Sequence, residues 1–458
     1  MLDKILSFIN SLLDKKEAKK NFNIDTLISK DMIDAIRLWK NIYEQKAPWA
    51  DEKTKASSIG AQVASEFARL TTLEMESEII GSKRAEYLNA IYDEFKLKLN
   101  EKLEIGNALG GIYFKPYVAD NKIFVNSIAQ GDFAPVAFDG DGNLISVIFS
   151  DEFVEGKNIY TRIEWHILEG TTLLIINKAF KSSDTNALGN EVPLNSIKKW
   201  ANLSETAKII NVKKLLGGFY KVPKANHINS KSPLGVSIYS RAIDALKKLD
   251  EQASRLDWEY ESGERRVYVD VQALTPRPKI EDGKTVIKKP KVNKRLFESL
   301  DVGDEDFFKD YSPEMRDEAY LRGLNKYKQD VEFKTDLAYG TISDPAYVEK
   351  TAEEIRSSKH KSYDVVTHMQ RAAERAINDL IYSIDVLVTL YKLAPPGAYE
   401  VSYKWDDSLI VDAEKERTQD LTDMRAGIMG KVEYRMKWYG ETEEEAKKKI
   451  PEEADVIE

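Results

Sequence analysis

Apolar residues recur three and four apart along residues 346–393, AYVEKTAEEIRSSKHKSYDVVTHMQRAAERAINDLIYSIDVLVTLYKL, a stretch with neither Pro nor Gly. Val348, Ala352, Ile355, Tyr363, Val366, Met369, Ala373, Ala376, Ile377, Leu380, Ile381, Ile384 and Leu387 fall on one stripe of an α-helix. Read as one helix, the stretch predicts a rod about 70 Å long at ~1.5 Å per residue, against an ordinary helix of ~11 residues. Such a rod needs a surface to lean on along its whole length. The polar run 357–362, SSKHKS, interrupts the stripe and predicts a kink there.

The rest of the chain alternates between two periods. Residues 25–105 read as helical: DMIDAIRLWKNIYEQ, KASSIGAQVASEFARLTTLEME and AEYLNAIYDEFKLKLNEKLEIGNA space apolar residues for one helix face each, with Pro48 and Gly81 as breaks. GGIYFKPYVADNKIFVNSI, FAPVAFDGDGNLISVIFSDEF and YTRIEWHILEGTTLLIINKAF switch to the alternation of an antiparallel β region, and Asp141-Gly142-Asn143 predicts a hairpin turn. Helical spacing returns over 237–262, after Ser232-Pro233-Leu234-Gly235 and up to Gly263. Strand-like pieces over 265–295 carry ten Lys/Arg against three Asp/Glu, and over 297–320 the sign inverts to nine acidic against two basic. A helix is predicted from Pro313-Glu314-Met315 to about Lys334, followed by a break at 337–345 and then the rod. Pro395-Pro396-Gly397 ends the rod, AYEVSYKWDDSLIV reads as a strand, and AEKERTQDLTDMRAGIMGKVEYRMKWYG with ETEEEAKKKI reads as short helices before an acidic tail. The amino end, MLDKILSFINSLLDKKEAKK, spaces Leu2, Ile5, Leu6, Ile9, Leu12 and Leu13 as an amphipathic helix. It lacks a basic start and a cleavage site, so it is expected to dock on its own or a neighbouring subunit instead of directing secretion.

Composition narrows the class. At 458 residues, 42% of them hydrophobic, the chain can build two or three cored domains. Its charged fraction is 32% and its net charge −9, and the apolar runs near 144–149 and 172–177 are shorter than the ~20 residues that cross a bilayer. No transmembrane span is expected. The absence of cysteine excludes disulfides and thiolate metal sites, and suits a reducing cytoplasm or a particle assembled there.

Motifs for chemistry are scarce. The chain has no phosphate-binding P-loop, no dinucleotide glycine fingerprint, no HExxH pair and no GxSxG elbow. His360 and His368 lie eight apart without an acidic partner and read as solvated. Asp406, Asp407 and Asp412 offer carboxylates for a divalent cation, as a metal-dependent nuclease would need, or else a turn and a helix cap. The basic run from Lys288 to Arg295 offers a nucleic-acid patch, or a partner for the acidic 297–320 stretch. A non-enzymatic helical interaction scaffold is the third class left open.

The order of these parts resembles that of the portal proteins of long-tailed phages infecting Gram-positive bacteria. Three stretches carry the resemblance: SPLGVSIYSRAIDALKKLDEQASRLDWEYESGERRVYV, YSPEMRDEAYLRGLNKYKQDVEFKTDLAYGTISDPAYVEKTAEEIRSS with its KTAEEI (Lys350 to Ile355), and AYEVSYKWDDSLIVDAEKERTQDLTDMRAGIMGK with its paired Asp. The resemblance implies an α+β portal fold: a helical/β wing, a two-helix stem, a small α/β clip and a long spine helix leading to a helical crown. By this likeness the wing is 1–236, stem helix one 237–264, the clip 265–310, stem helix two 311–335, the tunnel loop 336–347, the spine 348–393, a wing strand 394–411, and the crown-side helices with an acidic tail 412–458. The short acidic end departs from a large helical crown.

The resemblance further implies a homo-oligomeric ring, usually of twelve, at one capsid vertex of the virion, assembled in the host cytoplasm and without catalysis, cofactor or membrane. Double-stranded DNA would pass through it for packaging and ejection. It would nucleate procapsid assembly with the major capsid and scaffolding proteins, and dock the terminase large subunit and then the head-tail adaptor at the clip. Asp336, Leu337, Ala338, Tyr339, Gly340, Thr341, Ile342 and Ser343 would form the DNA-facing loop, with Tyr339 and Ile342 touching the duplex. Lys326, Lys328 and Lys334 would line the channel at phosphates, and Arg277, Lys279, Lys284, Lys288, Lys289, Lys291, Lys294 and Arg295 would serve the clip. Twelve copies at −9 each give a ring of roughly −100, which repels phosphate and lets a polymer slide. Basic and acidic runs side by side suit the head-to-tail contacts of a cyclic assembly.

Overall fold

The computed structural model describes residues 29–73, 75–185, 187–270, 277–281, 284–288, 296–300, 308–347, 351–405 and 413–450. The fold is α+β, and its organising element is the helix α7, Ala352–Leu390. Numbered along the chain, the elements before it are α1 (Lys30–Tyr43), α2 (Ile59–Thr72), β1 (Met75–Ile80), α3 (Lys83–Lys96), α4 (Leu99–Leu109), strands β2 (Gly111–Ala119) to β10 (Gly218–Lys221), α5 (Ile243–Ser262), strands β11 (Arg266–Asp270) to β15 (Phe308–Tyr311), and α6 (Asp317–Thr335). After it come β16 (Glu400–Trp405), α8 (Ala413–Arg425), α9 (Lys431–Tyr439) and α10 (Glu443–Lys449).

The 39 residues of α7 make a rod of about 58 Å. Thr351 caps its start, accepting from the Glu354 N–H while the Glu354 carboxylate accepts from the Thr351 N–H. The apolar stripe is buried from Val366 to Val388, with Met369, Ala376, Ile377 and Leu380 fully enclosed. Helix runs unbroken through 357–362. The polar run there belongs to turns whose described side chains are mostly exposed, so it marks where the rod leaves the core.

Two antiparallel sheets build the body, and the helix packs on the smaller. The smaller has the order β10-β2-β3, with β3 at Lys122–Ala129, and its β2–β3 hairpin turns on Asp120 and Asn121, both at positive φ (49° and 56°) as a two-residue hairpin turn needs. The larger has the order β4-β5-β6-β7-β8, with β9 (Thr206–Ile210) also on β7 (Thr172–Ser182). Its β4 (Phe133–Phe138) and β5 (Leu144–Glu155) join through the expected turn, where Asp139 Oδ1 accepts from the Asn143 N–H at 2.8 Å. β6 spans Asn158–Glu169 and β8 Asn190–Val192. Helices α1, α2 and α4, both sheets, the first turns of α5 and most of α7 share one core.

The helix lies on the small sheet because β10 begins with glycine. A Cβ on Gly218 would sit 1.9 Å from the carbonyl oxygen of Ala376, and one on Gly217 (φ +145°) 2.2 Å from the Tyr113 ring. No side chain fits in that contact. Polar groups lock the same seam: the Gly217 N–H donates to Ser383 Oγ at 2.7 Å, the Lys213 N–H to the Tyr382 hydroxyl at 2.8 Å, and Lys214 pairs with Asp379 at 2.6 Å. At the far end Arg84, 3% exposed, donates to the Asp385 carboxylate (2.6 Å), to the carbonyls of Asp385 and Ala394, and to Thr389.

Several boundaries differ from the sequence expectation. Residues 25–105 are not all helical, since 75–80 form β1, paired antiparallel with β16 from Met75↔Trp405 to Ile80↔Glu400. The hydroxyls of Thr71 and Thr72 bond back to the carbonyls of Phe67 and Ala68 at the end of α2, and beyond them Ser77 and Ile79 alternate inward. Helix α5 starts at Ile243, not 237, because the buried turn 237–240 first crosses the core, with the Ile238 N–H on the Asn107 carbonyl. Helix α6 starts at Asp317, not Pro313, because the Arg316 N–H is held by the Glu259 carboxylate at 3.0 Å. The amino-terminal stripe 1–20 and the acidic tail lie outside the described residues.

One charged cluster is buried between the two sheets. Glu164 on β6 accepts from Lys115 of β2 (2.6 Å), His166 Nε2 (2.6 Å) and Arg162 (3.0 Å). Burial alone would lift the Glu164 carboxyl, but the Lys115 charge, the His166 hydrogen bond and Arg162 outweigh it and hold it well below the usual carboxylate range. Burial pushes the His166 imidazole down from its ordinary 6.5, against the pull of Glu164, and its Nδ1 has no hydrogen-bond partner. Lys115 is likewise pushed down by burial, against the pull of Glu164.

Two measurements check this architecture. Gly218→Ala should lower the denaturant midpoint by the equivalent of about 3 kcal/mol or more, since backbone, not a flexible side chain, must move; an unchanged midpoint refutes the seam. Unfolded His166 takes up its proton near pH 6.5 and the folded form only at lower pH, so the unfolded state binds more protons as pH falls through 6.5. Stability should therefore drop as pH falls below 6.5, and further below 4.5 as Glu164 adds its share. His166→Gln should flatten the first part of that slope in urea titrations at stepped pH.

Candidate functional site: the helical hairpin and the loop at its base

Helices α5 and α6 run antiparallel. Near the tip Arg316 makes a fork with Glu259 (2.7 and 3.1 Å), and lower down Gln252 Nε2 donates to the Tyr320 carbonyl at 3.3 Å beside Gly323, where a Cβ would crowd Gln252. Asp250 fastens α5 to the body, accepting from the Trp49 indole (2.8 Å) and the Ser57 N–H (3.0 Å). The β11–β15 region is inserted at the tip. There β14 (Phe297–Leu300) pairs parallel and β15 antiparallel with β11, Arg265 pairs with Asp310 at 2.7 Å, and β12 (Arg277–Glu281) forms a hairpin with β13 (Lys284–Lys288). The described residues of this insertion are strands, so the helix implied for the clip is not among them. Arg277 and Lys279 stand on β12 and Lys284 and Lys288 on β13; Lys289, Lys291, Lys294 and Arg295 lie outside the described residues.

At the base of the hairpin the chain turns sharply. Asp336 adopts the left-handed conformation (φ 70°), which an Asp tolerates better than most residues, and the Leu337 N–H closes on the Glu332 carbonyl at 3.0 Å. Asp336 sits between two lysines from distant elements, Lys224 (2.9 Å) and Lys361 of α7 (2.6 Å). Burial works to raise its carboxyl, but the Lys361 hydrogen bond and the Lys224 charge overcome that and hold it below the usual range. Lys224 also donates to the Thr335 carbonyl, the open end of α6.

Glu332 is the hidden anchor of the loop. It is fully buried, and its Oε1 accepts from the N–H groups of Ile342 (2.7 Å) and Ser343 (2.9 Å) while Oε2 accepts from the Ser343 hydroxyl (2.8 Å). Two turns earlier Asn325 Oδ1 accepts from the Asp344 N–H at 2.7 Å, and Ser358 of α7 accepts from the Tyr339 N–H at 3.0 Å. The loop is thereby bonded to both helices it connects.

The expected site residues fall unevenly on this frame. Leu337 and Ser343 are buried, Ala338, Tyr339, Gly340, Ile342 and Asp336 half-buried, and Thr341 is exposed, its hydroxyl on the Ala338 carbonyl. Ile342 packs against the main core. Lys326 is exposed and paired with Asp330 at 3.0 Å, while Lys328 and Lys334 are half-buried. At ~100° per residue the three occupy different faces of α6. Sequence reading missed Glu332, Asn325, Lys224 and Lys361; Lys224 and Asp336 are 112 positions apart, and no local pattern links them. His360 and His368 are exposed. Asp406, Asp407 and Asp412 lie outside the described residues, and among the described residues no group of three or more His, Asp or Glu is placed to hold a metal ion. No helix there is long and apolar enough to cross a membrane.

No family model and no curated protein matches the chain. A chain from the neck of a native GTA particle, solved with C12 symmetry, is similar at 10% identity and a TM-score of 0.35, over 90% of this chain and 93% of that one.

Removing the anchor should loosen the loop alone. Glu332→Ala should speed amide exchange at Ile342 and Ser343 roughly tenfold or more, since hydrogen bonds to a charged group contribute about 1.5–3 kcal/mol. Glu332→Gln should retain most of the protection, because its amide oxygen still accepts the two N–H groups and its NH2 still reaches the Ser343 oxygen. Equal exchange in both variants sinks the assignment.

Proposed function

We propose that the chain is the subunit of a portal ring at one vertex of a phage capsid, a conduit for double-stranded DNA without catalysis of its own. One arrangement carries the reading: an antiparallel helical hairpin with a β insertion at its tip, whose base loop leads into a 39-residue helix laid back on the body. In this reading the hairpin is the stem, the β insertion the clip that meets the terminase large subunit and then the head-tail adaptor, and the bonded loop the tunnel loop. The body of both sheets and α1–α4 is the wing, with residues 394–411 as its added strand, and α8–α10 the crown side.

Three physical features support it. Trp258 on α5 and Phe333 on α6 are 66% and 61% exposed, apolar surface that a neighbouring copy in a ring would cover. The clip region holds basic and acidic runs side by side, which suits twelvefold head-to-tail contacts. A net charge of −9 per subunit gives a ring that repels phosphate overall; Lys326, Lys328 and Lys334 lie on different faces of α6 and cannot all meet the duplex, so whichever faces the channel positions it without gripping it. Thr341 is the loop residue whose exposure suits contact with DNA, and the half-buried Tyr339 and Ile342 offer only part of their surface to it.

Negative-stain images of the purified chain should contain rings with a central hole; discrete monomers or dimers at tens of micromolar count against the portal. Thr341→Asp, at the exposed loop residue that Glu332 does not hold, should leave the rings intact and impair DNA packaging or retention, and packaging at normal efficiency would remove the loop from the channel.

A further inference from the structure

Helices α8, α9 and α10 leave their own surface unfinished. Among the described side chains of 413–450 Tyr434 and Ala446 are buried, too little for a unit of fewer than about 40 residues to hold itself together. Ion pairs do most of the joining: Lys437 to Asp420 (2.6 Å), Arg435 to Glu441 (2.8 Å) and Lys449 to Glu441 (2.7 Å). Between α8 and α9 lies an open groove of about 850 Å3 with Ile428, Met429, Val432 and Met436 on its walls. Ile428 is 78% and Met436 42% exposed. Its lining also holds Asp420, Asp423, Glu433 and Glu443 against one lysine, Lys437; Asp420 pairs with Lys437 and Glu443 with Lys447, so the acidic excess rests on Asp423 and Glu433. A fitting occupant is therefore a short apolar helix that carries positive charge.

We propose that residues 1–20 of the same chain fill this groove. Leu2, Ile5, Leu6, Ile9, Leu12 and Leu13 are spaced for one helical stripe, which would run about 18 Å over residues 2–13. The next residues, KKEAKK, place Lys15, Lys16, Lys19 and Lys20 against one Glu, the sign the acidic rim attracts. The segment belongs to the same chain as the groove, so the two meet without a second copy.

A chain without cysteine gives a clean test. Ile9→Cys with Met436→Cys, in the full-length chain under mild oxidation, should form a disulfide within one chain, seen at monomer mass and as a linked peptide after trypsin digestion. Glu78→Cys with Ser402→Cys, directly opposite on β1 and β16, is the positive control. Replacing Lys15, Lys16, Lys19 and Lys20 by Glu should slow the 9–436 link at least tenfold. No 9–436 link while the control forms, a link between two chains, disulfide dimers of Met436→Cys alone, or an unchanged rate in the Lys→Glu variant each overturns the proposal.

Discussion

The contact between the Ala376 backbone and Gly218 is the constraint on which the rest of the structure depends. A helix axis normally stands off a sheet by the length of two side chains, yet here the backbones touch, so α7 has one available position. Everything downstream inherits that position. Arg84 fixes the end of α7 to the start of α3 through four acceptors, and β16 then has no choice but to run beside β1. Two strands more than three hundred residues apart thereby close the body, and the long helix becomes part of the core for its carboxyl-terminal half and an overhang for its amino-terminal half.

That division explains how α7 can serve both the core and the loop. Over 366–388 the rod is held by apolar burial, a non-directional force that tolerates no sliding once Gly218 and Ser383 set the register. Over 351–361 the contacts of the described side chains are polar or charged: the Thr351 cap, Ser358 to the loop, and Lys361 to Asp336 and over the Phe333 ring. Neutral hydrogen bonds of that kind contribute about 1 kcal/mol each and the Lys361–Asp336 pair more, so the two halves of the rod are held by different forces, and the polar half faces the base of the hairpin.

How much of this could be read from the sequence follows from the range of the interactions. The stripe of α7, the β2–β7 hairpins and the short helices after 413 were legible because period and turn residues are local. The kink read into 357–362 was not, because a polar run on a helix marks solvent as readily as a break. Strand β1 was hidden behind Thr71 and Thr72, and is defined by a partner at 400–405 that no window contains. The loop at the hairpin base was located by its glycine and proline, whereas its chemistry was not: Glu332 reads as one more surface acid of a charged helix until the fold buries it under Ser343.

Charge in this molecule is arranged by depth. Inside, carboxylates are surrounded: Glu164 meets three cations or donors, Asp336 two lysines, Glu332 three loop donors. Removing any one partner leaves an uncompensated buried charge, which costs more than the pair contributes. Outside, the excess acid is unbalanced and spread over the surface, where water screens it within ~10 Å. A copy brought alongside another therefore feels repulsion everywhere except where basic and acidic runs oppose or apolar side chains such as Trp258 and Phe333 are open. Exposed apolar side chains stand on the hairpin (Trp258 66%, Phe333 61%) and equally on the sheets (Val154 66%, Ile210 70%), so it is the opposed basic and acidic runs of the insertion, not apolar area, that set the hairpin apart.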